Sequence, residues 1–261
     1  MMTQYGIENK KFKTGIYFLI FFLSLFFSVI SCSNNTINDE LEIIEKPKEN
    51  EEKPIVETCA NGVVYHESNG VVLVDIDKGN PSTNWTTGST LSGFDGAGYI
   101  IWTGADNFNQ PGQGVITFSV KINTVGTYQF VWRSRIGMGT KNTEHNDSWL
   151  RINGSDFFGQ KATDGHKVYP KGSGKTPNPE GSSKDGWLKV YMNRLNEWFW
   201  RSNTNDKNPY DVFVTFDTPG TYNVEISGRS NGHAIDQFVL FKTNKSLAQA
   251  QDAGFSETTC K

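Results

Sequence analysis

From Cys59 to the C-terminus the chain is cut into short runs by turn dipeptides, and this punctuation restricts the fold more than any other feature. Asn69-Gly70, Pro111-Gly112, Asn153-Gly154, Pro219-Gly220 and Asn231-Gly232 each fall between stretches of alternating apolar and polar residues. The pattern predicts strands over 62–67, 71–77, 98–102, 115–122, 126–135, 147–153, 186–192, 211–217, 220–229 and 234–242. No amphipathic run reaches three helical turns before Ser246–Ala253, which reads as one short C-terminal helix. Many short strands without βα alternation mean an all-β sandwich or jelly roll.

An internal echo refines this reading. Thr124-Val-Gly-Thr-Tyr128 and Thr218-Pro-Gly-Thr-Tyr222 lie 94 residues apart, and each opens a strand that reaches an arginine seven residues after its tyrosine, Arg135 and Arg229. Tyr128, Phe130 and Trp132 alternate with Gln129, Val131 and Arg133, and Tyr222, Val224 and Ile226 alternate with Asn223, Glu225 and Ser227. Period two with one apolar face describes half-buried antiparallel strands, with rings in the core and arginines outside. Trp102, Trp132 and Trp149 lie in apolar strand patterns and are expected in the core.

The segment before Cys59 has another character. Lys10, Lys11 and Lys13 precede the apolar run Ile16–Ile30, which is shorter than the roughly 20 residues of a spanning helix. It ends Val29-Ile30-Ser31-Cys32, which resembles a bacterial lipobox. That resemblance implies that residues 1–31 are a signal peptide and that Cys32 is acylated, with an uncleaved anchor or ordinary secretion as the alternatives. Residues 32–58 carry eight acidic and three basic side chains with Pro47 and Pro54, the composition of an extended tether. Similarity to lipoproteins of the Bacteroidetes type implies a lipid anchor at the outer membrane, at the cell surface. The whole chain has 25 basic and 28 acidic side chains; three bases and one acid fall in 1–31, which leaves 19 of each in 59–261. A neutral domain excludes the phosphate-neutralising surface of a nucleic-acid binder.

Three cysteines are too few for a disulfide-built scaffold, so an apolar core must hold the fold. With Cys32 assigned to lipid, Cys59 and Cys260 bracket the domain. The export signal places them where a disulfide can form; two free or intermolecular thiols are the alternative.

Four segments resemble the β-sandwich carbohydrate-binding modules of families 6 and 35 and related galactose-binding-like domains. They are the acidic first strand Val71–Asp77, the glycine-rich turn Gly93–Tyr99, the two Gly-Thr-Tyr strands, and the closing strand Gly232–Leu240 with Asp236. The resemblance spans about residues 62–242. It implies non-catalytic binding of a polysaccharide or oligosaccharide, near polysaccharide-degrading enzymes or a transporter. It also implies a structural Ca²⁺ on Asp75, Asp77 and Asp236 with turn carbonyls; a solvated acid pair is the alternative for the first two. The chain departs from the pattern at an aromatic-rich insertion, about 154–209, and at Ala234, where many members carry a ligand-binding Asn; Asn231 or His233 is then the substitute.

Saccharide recognition needs flat rings for the C–H faces of a pyranose and planar polar groups for its hydroxyls. Trp85, in a polar loop, and Trp187, Tyr191, Trp198 and Trp200, in the insertion, are the candidate platforms, against a reading as core filler. Arg135, Arg229, Asn231 and His233 are the candidate polar contacts. Asp147 or Glu144 is expected to pair with Arg133 or Arg135 and order a binding loop. There is no Gly-x-Ser-x-Gly elbow, no His-Glu-x-x-His, no Walker loop and no closely spaced carboxylate run. A lyase or glycoside hydrolase on a jelly roll is the alternative reading, since two acids distant in sequence can meet in space. A protein-binding adhesion module is the third.

Overall fold

The structure is a computed structural model that describes residues 59, 62–78 and 82–261. The expected signal peptide, lipidated Cys32 and tether lie outside the described residues. Val56–Lys261 form one compact unit. Its strands are β1 (Val63–His66), β2 (Val71–Asp75), β3 (Trp85–Gly88), β4 (Tyr99–Trp102), β5 (Ile116–Ile122), β6 (Gly126–Ile136), β7 (Asp147–Ile152), β8 (Asp156–Gln160), β9 (Lys167–Val168), β10 (Ser183–Lys184), β11 (Trp187–Tyr191), β12 (Phe199–Trp200), β13 (Asn203–Thr204), β14 (Tyr210–Phe216), β15 (Gly220–Ser227), β16 (His233–Lys242) and β17 (Thr258–Cys260). The short helix α1 (Leu247–Gln251) is capped by Ser246, whose hydroxyl accepts from the Gln249 N–H in a capping box.

The strands make two layers. One runs β17–β1–β5–β15–β7–β11–β10, antiparallel except for β1 with β5. The other runs β2–β16–β6–β14–β8–β9, with β4 taking over from β2 along β16 and β3 outside β4. β13 pairs with both β11 and β14 and joins the layers along one side. The chain is therefore an all-β sandwich.

Between the layers lies the main core, where Phe118 of β5 meets Phe238 of β16 at 5.2 Å between ring centroids. Trp102, Trp132 and Trp149 are buried, as the strand patterns predict. The alternation is cleanest in β14, where Tyr210, Val212, Val214 and Phe216 face inward. β16 breaks it, being buried on nearly every residue. A second cluster explains this: Val71, Leu73, Val131, Val239 and Phe241 cover the outer face of that layer beneath Ala250, with Trp200 and Leu247 packed against them.

The repeated Gly-Thr-Tyr motif is a repeated corner. Tyr128 donates its hydroxyl to the Thr124 carbonyl at 2.6 Å, and Tyr222 donates to the Thr218 carbonyl at 2.6 Å. Each hydroxyl satisfies a carbonyl of the turn four residues upstream, fixing how the chain enters the next strand. Cys59 and Cys260 are joined in a disulfide with 5.1 Å between Cα atoms, beside the Val63–Cys260 register pair of β1 and β17.

The layers' outermost strands are short, and β2, paired among the described strands with β16 alone, is bonded at Leu73 on its other side. The Leu73 N–H donates to Ser256 Oγ at 3.1 Å, and its carbonyl accepts from the Ser256 N–H at 2.9 Å.

Candidate functional site

Three loops and one strand meet beside the end of β7. The 103–115 loop carries Asp106 and Phe108, the β6–β7 loop carries Thr143, Glu144 and His145, and the β15–β16 loop carries Arg229 and Ser230. β11 contributes Lys189. Together they line a cavity of about 480 Å³.

Its wall is built on a buried ion pair. Asp147 and Arg229 are 5% and 7% exposed, and Arg229 Nη1 donates to Asp147 Oδ2. The guanidinium lies between two rings, 4.9 Å from the Phe108 centroid and 5.2 Å from that of Trp149. Gly228 makes this position possible: a Cβ there would meet the Trp102 ring at 2.2 Å, so the chain passes close over that ring and turns the next side chain inward. β15 ends at Ser227, one residue before. This corrects the expectation that Arg229 stands on an outer strand face. The expected pairing of Asp147 or Glu144 with Arg133 or Arg135 is also corrected: Asp147 holds Arg229, and exposed Glu144 holds Lys141 at 2.9 Å.

Phe108, at 47% exposure, is among the most exposed large apolar side chains described. The sequence does carry a signal for it, since Phe108 is the one aromatic residue in the polar stretch 103–115. His145 lines the same cavity in the left-handed region, φ 55°, and its Nδ1 is 2.5 Å from the Asn231 carbonyl oxygen. Asn231 itself is committed to the loop scaffold: its N–H donates to Asp106 Oδ1 at 2.8 Å and its Nδ2 to the Gly104 carbonyl at 2.7 Å. Arg229 Nε is buried with no hydrogen-bond partner among the described residues.

A second cavity of about 570 Å³ adjoins the first and shares Thr143, Asp147 and Lys189 with it. Tyr191, Arg201, Asn203 and Asp206 are on its wall. The half-buried Tyr191 donates its hydroxyl to the Asn205 carbonyl at 3.0 Å, and burial pushes its pKa up to about 12. Lys189 Nζ pairs with Asp206, and Arg201 donates to Asn203 Oδ1 at 3.3 Å.

The remaining candidate platforms sit elsewhere. Trp85 is 5% exposed, donates Nε1 to the Gly114 carbonyl at 2.6 Å and packs edge-on against Trp102, so the polar loop around it hides a core ring. Trp187 is 3% exposed, with Arg151 lying 4.5 Å over its ring. Neither can present a face to a ligand, which corrects both expectations. Trp198 is half-buried against Tyr99 at 5.0 Å and donates Nε1 to the Ser92 carbonyl. Trp200 borders a small pocket of about 220 Å³ over the outer-face cluster. Arg135 donates to the Ser92 carbonyl at 2.9 Å.

His233 is fully buried, with Nδ1 2.8 Å from Ser148 Oγ and its ring 5.2 Å from that of Trp132. It has no access to a ligand, which corrects its candidacy. Burial pushes its pKa down to about 3. The unfolded chain takes up a proton near pH 6.5 that the folded chain refuses. Stability from neutral His233 is therefore fully present above pH 6.5 and lost as pH falls toward 3, by about 1.4 kcal/mol per pH unit. Asp236 opposes this over part of the window, because burial raises its pKa to about 6 and favours its protonation in the folded state. Comparison with His233→Gln isolates the histidine. The stability advantage of the parent over that variant is expected to shrink by about 2 kcal/mol between pH 6.5 and 4.5, measured by urea unfolding across pH. A constant difference would refute the assignment.

The acids singled out as calcium ligands gather around the 93–97 turn. The Ala97 N–H donates to Asp77 Oδ2 at 3.0 Å, and the Asp95 N–H donates to Asp236 Oδ2 at 3.1 Å. Gly96, φ 75°, lies so near Asp75 that a Cβ would meet Oδ2 at 2.9 Å. Asp236 is the extra residue of a bulge in β16, where the register against β6 slips between Ile235 and Gln237. Arg133 bonds Asp236 and lies 3.1 Å from Asp95 Oδ2. Asp77 Oδ1 and Asp236 Oδ1 are shielded and have no hydrogen-bond partner among the described residues. An oxygen-only donor set with such atoms fits a hard cation in its chemistry, although no three His, Cys, Asp or Glu side chains stand at ligating separation among the described residues.

No protein-family model matches the chain, and no curated protein does. Solved structures similar to it include the GH26-CBM35 β-(1,4)-mannanase of Podospora anserina, 14% identical with a TM-score of 0.42 over 69% of this chain and 29% of that one. The isomalto-dextranase of Arthrobacter globiformis T6 complexed with panose is 16% identical, with a TM-score of 0.40 over 67% of this chain and 24% of that one. A family 35 carbohydrate-binding module from Clostridium thermocellum is 13% identical, with a TM-score of 0.38 over 66% of this chain and 98% of that one. The matches thus span less than a third of either enzyme.

Proposed function

We propose that the protein is a non-catalytic, lipid-anchored surface protein that binds polysaccharide at the cavity beside Phe108. The observation that carries this reading is the exposed Phe108 ring, braced on one side by a guanidinium that is itself stacked on Trp149 and locked to Asp147. Such a ring offers an apolar face and is surrounded by Asp106, Glu144 and His145 as hydroxyl partners. The resemblance of four segments to families 6 and 35 supports the reading. Residues 1–58 support the anchor and tether, with the outer membrane as the expected place and polysaccharide-degrading enzymes or a transporter as expected neighbours.

A glycan microarray of the Val56–Lys261 unit tests this. Binding to at least one polysaccharide is expected, with Phe108→Ala lowering affinity about tenfold, the magnitude of one lost ring contact. An array without hits would refute the proposal, and release of reducing ends or unsaturated sugars from a bound polysaccharide would refute its non-catalytic part. Glu144→Ala is the cleaner probe for turnover, because Glu144 is exposed whereas Asp147 supports the fold.

Calcium on Asp75, Asp77 and Asp236 belongs to the same reading, as a clamp between the first and last long strands. Calcium at a hundred times its Kd is expected to stabilise the unit by about 2.7 kcal/mol. Thermal unfolding in calcium and in chelator reads this out, and Asp77→Asn is expected to abolish the difference. Identical melting curves for the parent under both conditions would remove calcium from the account.

A further inference from the structure

Of the eleven residues around the larger cavity, eight lie between 154 and 209, the insertion by which this chain departs from the modules it resembles. The smaller cavity takes only Lys189 from that stretch. The insertion has thus built a second compartment against the first, with Thr143, Asp147 and Lys189 as the common wall. Each compartment alone has the volume of a small-ligand site.

The two compartments repeat one set of parts. Each has an aromatic ring, Phe108 in one and Tyr191 in the other. Each has a non-glycine residue held in the left-handed region, His145 at φ 55° and Lys207 at φ 63°. Lys207 sits in a corner fixed by backbone bonds, with the Asp206 N–H donating to the Glu180 carbonyl at 3.0 Å and the Asn208 N–H to the Asp206 carbonyl at 2.8 Å. A conformation that costs energy and is pinned from both sides keeps its shape without a ligand. Arg201 and Asn193 add exposed planar donors on the insertion side.

From this geometry we propose that the insertion supplies additional sugar subsites, so that the chain binds an internal run of a polysaccharide spanning both compartments rather than a single sugar or a chain end. This rests on the glycan reading above. A polymer whose neighbouring sugars lie in adjacent compartments gains contacts with each added unit until both are filled. A site of one compartment saturates after one or two sugars.

The test is titration calorimetry of the Val56–Lys261 unit with size-fractionated oligosaccharides of one to six sugars. They are prepared from β-1,4-mannan, β-1,4-glucan, β-1,4-xylan and α-1,6-glucan, together with any polysaccharide that scores on the array. Affinity is expected to rise at least about tenfold from the disaccharide to the hexasaccharide. Arg201→Ala, at an exposed position that leaves the fold intact, is expected to reduce that ratio severalfold, and Tyr191→Ala to bring it close to one. Equal affinity for disaccharide and hexasaccharide would overturn the internal-run proposal while leaving glycan binding standing. A ratio unchanged in both variants would overturn the role of the insertion. No binding to any fraction or polysaccharide would overturn the glycan reading itself, and this inference with it.

Discussion

Replacing Cys59 and Cys260 together by alanine is expected to destabilise the Val56–Lys261 unit by about 4–5 kcal/mol. The bond closes a loop with a sequence separation of 201, so its removal returns a large loop-closure entropy to the unfolded chain. The folded state has little to offset the loss locally. β17 is three residues long, exposed throughout, and held laterally by β1 alone. Urea unfolding of the oxidised parent and the double variant measures the difference, and hydrogen exchange should locate early opening at Thr258–Cys260. A loss below about 1 kcal/mol would mean that the ladder by itself holds the C-terminus.

Asp147→Ala is the second large effect, with an expected cost of about 3–5 kcal/mol. The variant leaves the buried Arg229 guanidinium without its counter-ion, and Ser230 Oγ loses its acceptor. Most of the cost is that uncompensated charge, so Asp147→Ala with Arg229→Met is expected to recover much of the stability, because a flat apolar slot between Phe108 and Trp149 remains for the methionine. Denaturant midpoints of the two single variants and the double variant close the cycle. A double variant as unstable as the sum of the singles would show that the pair is not coupled. Glycan affinity is expected to fall in all three, since Arg229 braces the Phe108 ring.

The order of long strands was legible from turn dipeptides and period two, and the expected and observed bounds of β5, β6, β7, β14 and β16 differ by one or two residues at most. The strands that went unread are those whose partners alone define them. β12 and β13 are two residues each, and β8 reads Asp-Phe-Phe-Gly-Gln, which has no alternation. The site was harder to read because exposure of a ring is decided by its opposite neighbour. Trp85 stands in polar sequence yet faces Trp102, and Trp187 sits under Arg151. Arg229 follows an alternating strand, but the strand stops at Ser227 and the backbone then folds over Trp102. Tyr191 was visible as an insertion aromatic. Its companions Lys189, Arg201, Asn203 and Asp206 carry no local signal, being assembled from β11 and the segment around β13.

The borders of the two layers bear on life in a crowded place. β9 and β10 have two residues each, β17 ends at a covalent bridge, and on the open side of β2 Leu73 is bonded on both its N–H and its carbonyl by Ser256. Among the described residues the remaining border is β3, four residues long and outside β4, so a neighbouring copy meets only short rows of amides to template a shared sheet. Copies brought close together are therefore expected to stay separate rather than knit into fibrils, a tolerance that a protein built mostly of strands needs wherever it is crowded.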